Sequence, residues 1–451
     1  MKEIPQVMQP QYLSTAFSRR VVLRTGAALG AGAAVSGLPF APAAYAQTDV
    51  SSRWPEVTRF IRSYVDNRRV AGMVAGMGFG QSAPDFVSAG SRTFDGTSAV
   101  GPDTLFRIYS MTKPITGMAV MMCIDEGLLG LDQPLHEILP AYRNMRVQRQ
   151  YDGPITADNL EPAARPITIR HLLTHTAGFG YTIVQQGPIK AAYSRAGLVP
   201  FSASRMAIAQ DLMGGNPAPS LAEFADRLAE MPLVRQPGTR WSYSVATDLL
   251  GRVIEVVTGQ AFDDFLQQRI FTPVGMDSTG FRVAAQDSRR LAANYFLMGG
   301  VPLPLDLPGS SIFLDRPAFP FGGAGLVSSA RDYDRFLRML AGYGEIDGVR
   351  VMSEAAVRMG ASDLFPETLA SNGRFTANGQ TFGFGAAGLV GQGNTAGLYG
   401  WFGAAGTVGL VNLQAGLRHT LMTQYMPAEN YDVQSRFPVA VAQDAMRLAS
   451  R

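Results

Sequence analysis

The sequence predicts an α/β fold of the α+β kind. One antiparallel sheet flanked by helices is built from both ends of the chain, and a mainly helical domain is inserted between them. Three features of the pattern carry this. Near residues 53–89 a helix-period segment precedes two short apolar runs separated by Gly80-Gln81-Ser82-Ala83-Pro84. From residue 106 to residue 320 the apolar spacing is largely helical. From Phe382 onward apolar runs alternate with glycine, and a helical segment, Phe437 to Leu448, closes the chain. Residues 47–105 and 321–451 are thus expected to form the sheet domain, and residues 106–320 the helical one.

Residues 1–46 read as an export signal. Ser18-Arg19-Arg20-Val21-Val22-Leu23 resembles the twin-arginine pattern, an uncharged Ala/Gly-rich stretch follows, and Ala44-Tyr45-Ala46 is an A-x-A cleavage site. The expected location is periplasmic or secreted, with no membrane anchor after processing. Trp54, Val57, Phe60, Ile61, Tyr64 and Val65 then repeat with helical period. Val70–Phe79 and Asp85–Ala89 read as a strand hairpin. Phe94–Pro102 is a loop leading to the apolar helix that runs from Ser110 through Cys123. Tyr151–Arg165 reads as a surface loop, and Thr168 as the N-cap of a helix. Ala246–Val257 and Phe262–Ile270 read as helices, the Pro-rich segment Val301–Pro320 as an extended loop near the site, and Asp332–Leu340 as a helix.

Charge and cysteine content narrow the function classes. The formal net charge is +3, but Lys2, Arg19, Arg20 and Arg24 against Glu3 place all of it in residues 1–46. The remainder is neutral overall and offers no basic field for nucleic acid. The single cysteine, Cys123, lies on an apolar run and reads as a small buried hydrophobe.

Chemistry is signalled first by Ser110-Met111-Thr112-Lys113, a Ser-x-x-Lys at the start of that helix. Residues i and i+3 of a helix share a face, with Cβ atoms roughly 5–6 Å apart. A serine hydroxyl needs a neighbouring base to become a nucleophile, and a desolvated lysine can serve. The helix N-terminus favours the anionic serine further.

Three segments then occur in order: Phe106-Arg107-Ile108-Tyr109-Ser110-Met111-Thr112-Lys113, Thr168-Ile169-Arg170-His171-Leu172-Leu173-Thr174-His175-Thr176-Ala177-Gly178, and Gln236-Pro237-Gly238-Thr239-Arg240-Trp241-Ser242-Tyr243-Ser244. Together they resemble the serine hydrolases of the class C β-lactamase superfamily, and most of all the family VIII carboxylesterases. The resemblance runs from about Trp54 to the C-terminus and agrees with the fold above. It implies that Ser110 is the nucleophile, Lys113 its partner, and Tyr243 the group that manages the leaving-group proton. It also sets Trp401-Phe402-Gly403 where β-lactamases carry Lys-Thr-Gly. The backbone N–H groups of Ser110 and Ala404 would then form the oxyanion hole. Trp401 and Gly403 would line the substrate site, with the indole as an apolar wall.

Two departures from the β-lactamase pattern favour esters. Val245 stands where those enzymes have an asparagine, and Trp401 stands where they have the lysine that binds a substrate carboxylate. The expected activity is therefore hydrolysis of a small-molecule carboxylic ester through a Ser110 acyl-enzyme, with transesterification where an alcohol replaces water. A β-lactamase, D-amino-acid peptidase or amidase on the same scaffold is the alternative, followed by a non-catalytic binding protein. No cofactor is expected. His171 and His175 stand i, i+4, but no third metal ligand can be named beside them. The chain has neither a Gly-x-Ser-x-Gly elbow nor a dinucleotide-type glycine motif. Nothing in the sequence speaks to oligomeric state.

Overall fold

A computed structural model of the chain describes residues 50–207, 210, 214–377 and 380–450. The expected export signal lies outside the described residues. The main sheet is antiparallel and draws on both ends of the chain. Helix α1 (Pro55–Val65) leads into strands β1 (Gly72–Phe79) and β2 (Asp85–Gly90). A short strand β3 (Leu105–Arg107) precedes helix α2 (Thr112–Asp125), and helix α3 (Ala246–Thr258) follows much later. Next come β4 (Asn294–Met298), β5 (Val301–Asp306), β6 (Val327–Ser329) and helix α4 (Ala330–Ala341). The C-terminal part supplies β7 (Gly383–Phe384), β8 (Leu389–Val390), β9 (Leu398–Phe402), β10 (Val408–Asn412), β11 (Leu417–Met422), β12 (Tyr425–Met426) and helix α5 (Val433–Ala449). The seven-stranded sheet runs β7-β8-β9-β10-β11-β1-β2. The two ends of the chain meet where β1 pairs with β11, Val74 opposite Met422.

Three expectations need correction. The segment after Val301 is not wholly loop: β5 pairs antiparallel with β4, and β4 pairs in parallel with β12. Pro302 and Pro304 concealed the strand, since proline cannot donate to a ladder. β5 tolerates them because it is the edge strand of that small sheet. In the segment read as a surface loop, Leu160–Pro162 pairs with Arg146–Gln148. Ser110 itself sits in a 3₁₀ turn, Tyr109–Met111, and the α-helix begins at Thr112.

Helix α2 is the axis of the molecule. Every residue from Thr112 to Cys123 is buried, which fits its apolar composition on all sides. It lies between the sheet, α3 and the helix Glu354–Gly360. Burial pushes the Cys123 thiol up to about 12, so it stays protonated and inert. Gly117 lets α2 approach the chain at Ala386: a Cβ there would run into the Ala386 carbonyl oxygen. Gly→Ala inside a helix ordinarily stabilises by up to about 1 kcal/mol. Here the clash is with backbone, and Gly117→Ala is expected to destabilise by about 1–3 kcal/mol instead. Thermal denaturation of the variant checks this, and a raised Tm would refute the packing.

Candidate active site

The site forms where α2, α3, β9 and the loop before β6 converge. Tyr109 adopts a left-handed conformation, φ 42°. In a non-glycine residue this is strained and persists only where the surroundings enforce it. It turns the chain so that Ser110 stands at the mouth of α2. Lys113 Nζ lies 3.3 Å from Ser110 Oγ and donates to the Gly323 carbonyl at 2.7 Å. Tyr243 Oη donates to Ser110 Oγ at 2.8 Å, across 133 residues of sequence. The Lys113 ammonium also sits over the Tyr243 ring, 4.6 Å from its centre. Ser110, Lys113 and Tyr243 are thus brought together, and all three are buried.

Trp401 closes the other side. Its Nε1 lies 3.3 Å from Tyr243 Oη, and its ring packs against Phe375, Phe384 and Phe402. Gly403 follows β9 and lies against the turn that carries Ser110. A side chain there would strike the Ile108 carbonyl and the Thr407 hydroxyl, so only glycine permits the approach. Ala404 follows, and among the described residues its N–H donates to no carbonyl. Val245, buried, caps α3 without offering an amide.

His171 and His175 have other partners. His171 completes a capping box: its Nδ1 accepts from the Thr168 N–H, and its own N–H donates to Thr168 Oγ1. Burial, with help from Arg165, pushes its imidazole down to about 4. His175 bonds Ser244 through Nδ1 at 3.0 Å and lies 5.0 Å from the Tyr243 ring, centre to centre. Burial and then the Lys113 charge drive its pKa well below the usual value, so it stands neutral.

A Beta-lactamase family model matches residues 57–443. The chain belongs to the Beta-lactamase family. An uncharacterized protein of Mycobacterium tuberculosis is 40% identical over 274 residues, 61% of this chain and 63% of that protein. Esterase EstB of Burkholderia gladioli is 34% identical over 254 residues, 53% of this chain and 57% of that protein. The matched stretch thus spans less than two thirds of the length of either relative. Among solved structures, "EstCE1, a hydrolase with promiscuous acyltransferase activity" superposes with a TM-score of 0.69 at 24% identity, covering 88% of this chain and 99% of that one. The two share the fold.

Two residues near Lys113 have no counterpart in the sequence reading. Tyr181 packs its ring 5.3 Å from that of Tyr243 and faces the Lys113 ammonium at 5.8 Å. Burial, then Tyr243 and Asp248, raises its pKa well above the usual value, so it stays a phenol. Its only sequence signal was its place three residues after Gly178, just beyond a segment that carries the family resemblance. Asp248 lies buried in the first turn of α3, and its Oδ1 accepts from the Gly323 N–H at 2.8 Å. An acid in a first turn ordinarily serves the helix dipole, which hid its role.

Burial pushes the Asp248 carboxyl up to about 6, against the opposing pull of Lys113. The folded state therefore holds this proton more tightly than the unfolded chain does. The stability present below the unfolded value, 3.8, is lost as pH rises through about 6. Asp248→Asn keeps the acceptor for Gly323 and removes the ionisation. It is expected to gain up to about 3 kcal/mol relative to the parent between pH 3.5 and pH 7, at ~1.4 kcal/mol per pH unit. Denaturant unfolding at the two pH values tests this, and an equal effect at both would refute the assignment.

Proposed function

We propose that the chain is a serine hydrolase that cleaves neutral carboxylic esters through an acyl-enzyme on Ser110. One observation carries this reading: the buried Ser110 hydroxyl is met by Lys113 and Tyr243 together. Ser110 Oγ attacks the ester carbonyl carbon as its proton passes to Tyr243 Oη, which takes it as a phenolate beside the Lys113 ammonium. The oxyanion is held by the backbone N–H groups of Ser110 and Ala404. As the C–O bond breaks, Tyr243 delivers a proton to the departing alkoxide. Water then attacks the acyl-enzyme and passes a proton to Tyr243 Oη, which returns it to Ser110 Oγ as that oxygen leaves the acyl carbon and the acid is freed. An alcohol in place of water gives transesterification. EstB, an esterase, and EstCE1, a hydrolase with promiscuous acyltransferase activity, support both outcomes.

Trp401 sets the preference for neutral substrates. A charge-assisted hydrogen bond to a substrate carboxylate is worth roughly 1.5–3 kcal/mol, and an indole cannot supply it. Trapping with a phosphonate, followed by peptide mass spectrometry, should place the adduct on Ser110. In the same preparation, kcat/KM for a short neutral ester should exceed that for a carboxylate-bearing β-lactam by about a hundredfold, at ~1.4 kcal/mol per decade. An adduct elsewhere with activity intact in Ser110→Ala, or equal efficiency on both substrates, would overturn the reading.

We further propose that the chain is exported by the twin-arginine route and cleaved after Ala46. Arg19-Arg20, the uncharged stretch and Ala44-Tyr45-Ala46 support this. No helix among the described residues is long and apolar enough to cross a membrane. N-terminal sequencing of periplasmic protein should begin at or near Gln47, and full-length protein confined to the cytoplasm would contradict export.

A further inference from the structure

The chain has three tryptophans, and their indole N–H groups meet three different fates. Trp54 Nε1 donates to the Asp85 carboxylate at 2.7 Å. Trp241 Nε1 is buried and has no partner among the described residues. Trp401 Nε1 donates to Tyr243 Oη at 3.3 Å. The oxygen that Trp401 addresses is the one that donates to Ser110 Oγ. A phenol has one proton to give and lone pairs to receive, so both bonds can exist at once.

Trp401 is held as a rigid donor. It lies on β9 opposite Gly409, which leaves the pairing strand without a side chain at that point. Phe384 and Phe375 pack on its ring, with centres 5.4 and 5.7 Å away. Among the described residues, Ser110 and Trp401 are the hydrogen-bond partners of Tyr243 Oη. The Lys113 ammonium approaches the Tyr243 ring face instead. An apolar wall could be built from any large aromatic residue; an indole adds an N–H pointed at this oxygen.

We propose that Trp401 is a positioning residue for proton delivery: its indole N–H holds Tyr243 Oη at Ser110 and shares the negative charge left there when Tyr243 protonates the departing alkoxide. This rests on the ester-cleaving reading above. When the ester C–O bond breaks, its electron pair goes to the alkoxide oxygen, which takes the proton from the Tyr243 hydroxyl. The phenolate so formed takes up the proton that water releases on attacking the acyl-enzyme and passes it to Ser110 Oγ as that oxygen leaves the acyl carbon. Between these steps the oxygen carries charge, and a donor fixed beforehand stabilises it without reorganisation. The bond strengthens as its acceptor becomes ionised.

The test uses Trp401→Phe, which keeps an aromatic ring and removes the N–H, with esters that share one acyl group and differ in the leaving alcohol. A p-nitrophenolate departs without a proton, whereas an alkoxide needs one. The loss in kcat/KM on the ethyl ester should exceed the loss on the p-nitrophenyl ester by about tenfold or more, the scale of a single charge-assisted hydrogen bond. Equal losses would mean that Trp401 only shapes the pocket and would overturn the proposal, as would no loss at all on the ethyl ester. An independent readout is the indole ¹⁵N–¹H spectrum of the unmodified protein, which holds three tryptophan signals. The signal missing in Trp401→Phe should be the one that moves most in Tyr243→Phe. If it does not move, the hydrogen bond is absent in solution and the proposal fails. If the unmodified protein cleaves none of the esters, the esterase reading fails separately, and the indole signal alone decides the Trp401–Tyr243 bond.

Discussion

A lysine with no access to water is the constraint from which the rest of the site follows. The Lys113 side chain is fully buried. An ammonium taken out of water is costly unless its donors find acceptors and its charge is balanced. The Gly323 carbonyl and Ser110 Oγ supply acceptors, and the ring faces of Tyr243 and Tyr181 present their negative quadrupoles. Asp248 acts one step further out. It holds the Gly323 N–H, and Gly323 in turn holds Lys113 through its carbonyl, so one peptide relays between the carboxyl and the ammonium. The tight Gly322-Gly323 turn is therefore part of the lysine's environment. A side chain on Gly323 would press on the Asp248 carboxylate.

The scaffold keeps these parts in register by a second buried network. Arg107, three residues before Ser110, is fully buried and pairs with Asp306 at the end of β5. Its guanidinium also reaches the Ala292 carbonyl at 2.6 Å and Gln424 Oε1 at 3.1 Å, while Ser311 Oγ donates to Asp306. Strand β3 is thereby tied both to the β4–β5 hairpin and to the segment joining β11 to β12. Removing one partner of such a pair strands the other charge and costs about 3–5 kcal/mol, more than most surface changes could. The network thus links the start of the helical stretch to the C-terminal strands at the point where Ser110 must be held still.

What the sequence could reveal was set by the range of each interaction. Ser110 and Lys113 meet through local helical geometry, so four consecutive residues sufficed to pair them. The sheet was legible in its alternation and its glycines, and α2 in its uninterrupted apolar run. The meeting of Tyr243 with Ser110 spans 133 residues. It was available only through the ordered motifs of a resembled family. Strand periodicity could assign Trp401 to a face of β9 but not aim its N–H. Asp248 and Tyr181 were missed because each had an ordinary local explanation, and their roles arise from contacts distant in sequence. The β4–β5 pairing was hidden by prolines that only an edge strand tolerates.

The indole of Trp401 bears on the charge balance of the site. Trp401 Nε1, Tyr243 Oη, Ser110 Oγ and Lys113 Nζ form a continuous run of polar contacts. A second ammonium in place of the indole would lie three contacts from the first. At that range two ammonium charges repel each other. A substrate carboxylate would relieve that repulsion, so a site with two cations is tuned to anionic ligands. With an indole that repulsion never arises, and its N–H meets the tyrosine oxygen. The aromatic surroundings point the same way. Trp241, Phe375 and Phe384 pack around Tyr243 and Trp401, and His175 stays neutral among them. In so dry an enclosure a fixed dipole acts strongly on a charge that exists only during the reaction, and burying one costs far less than burying a second permanent charge.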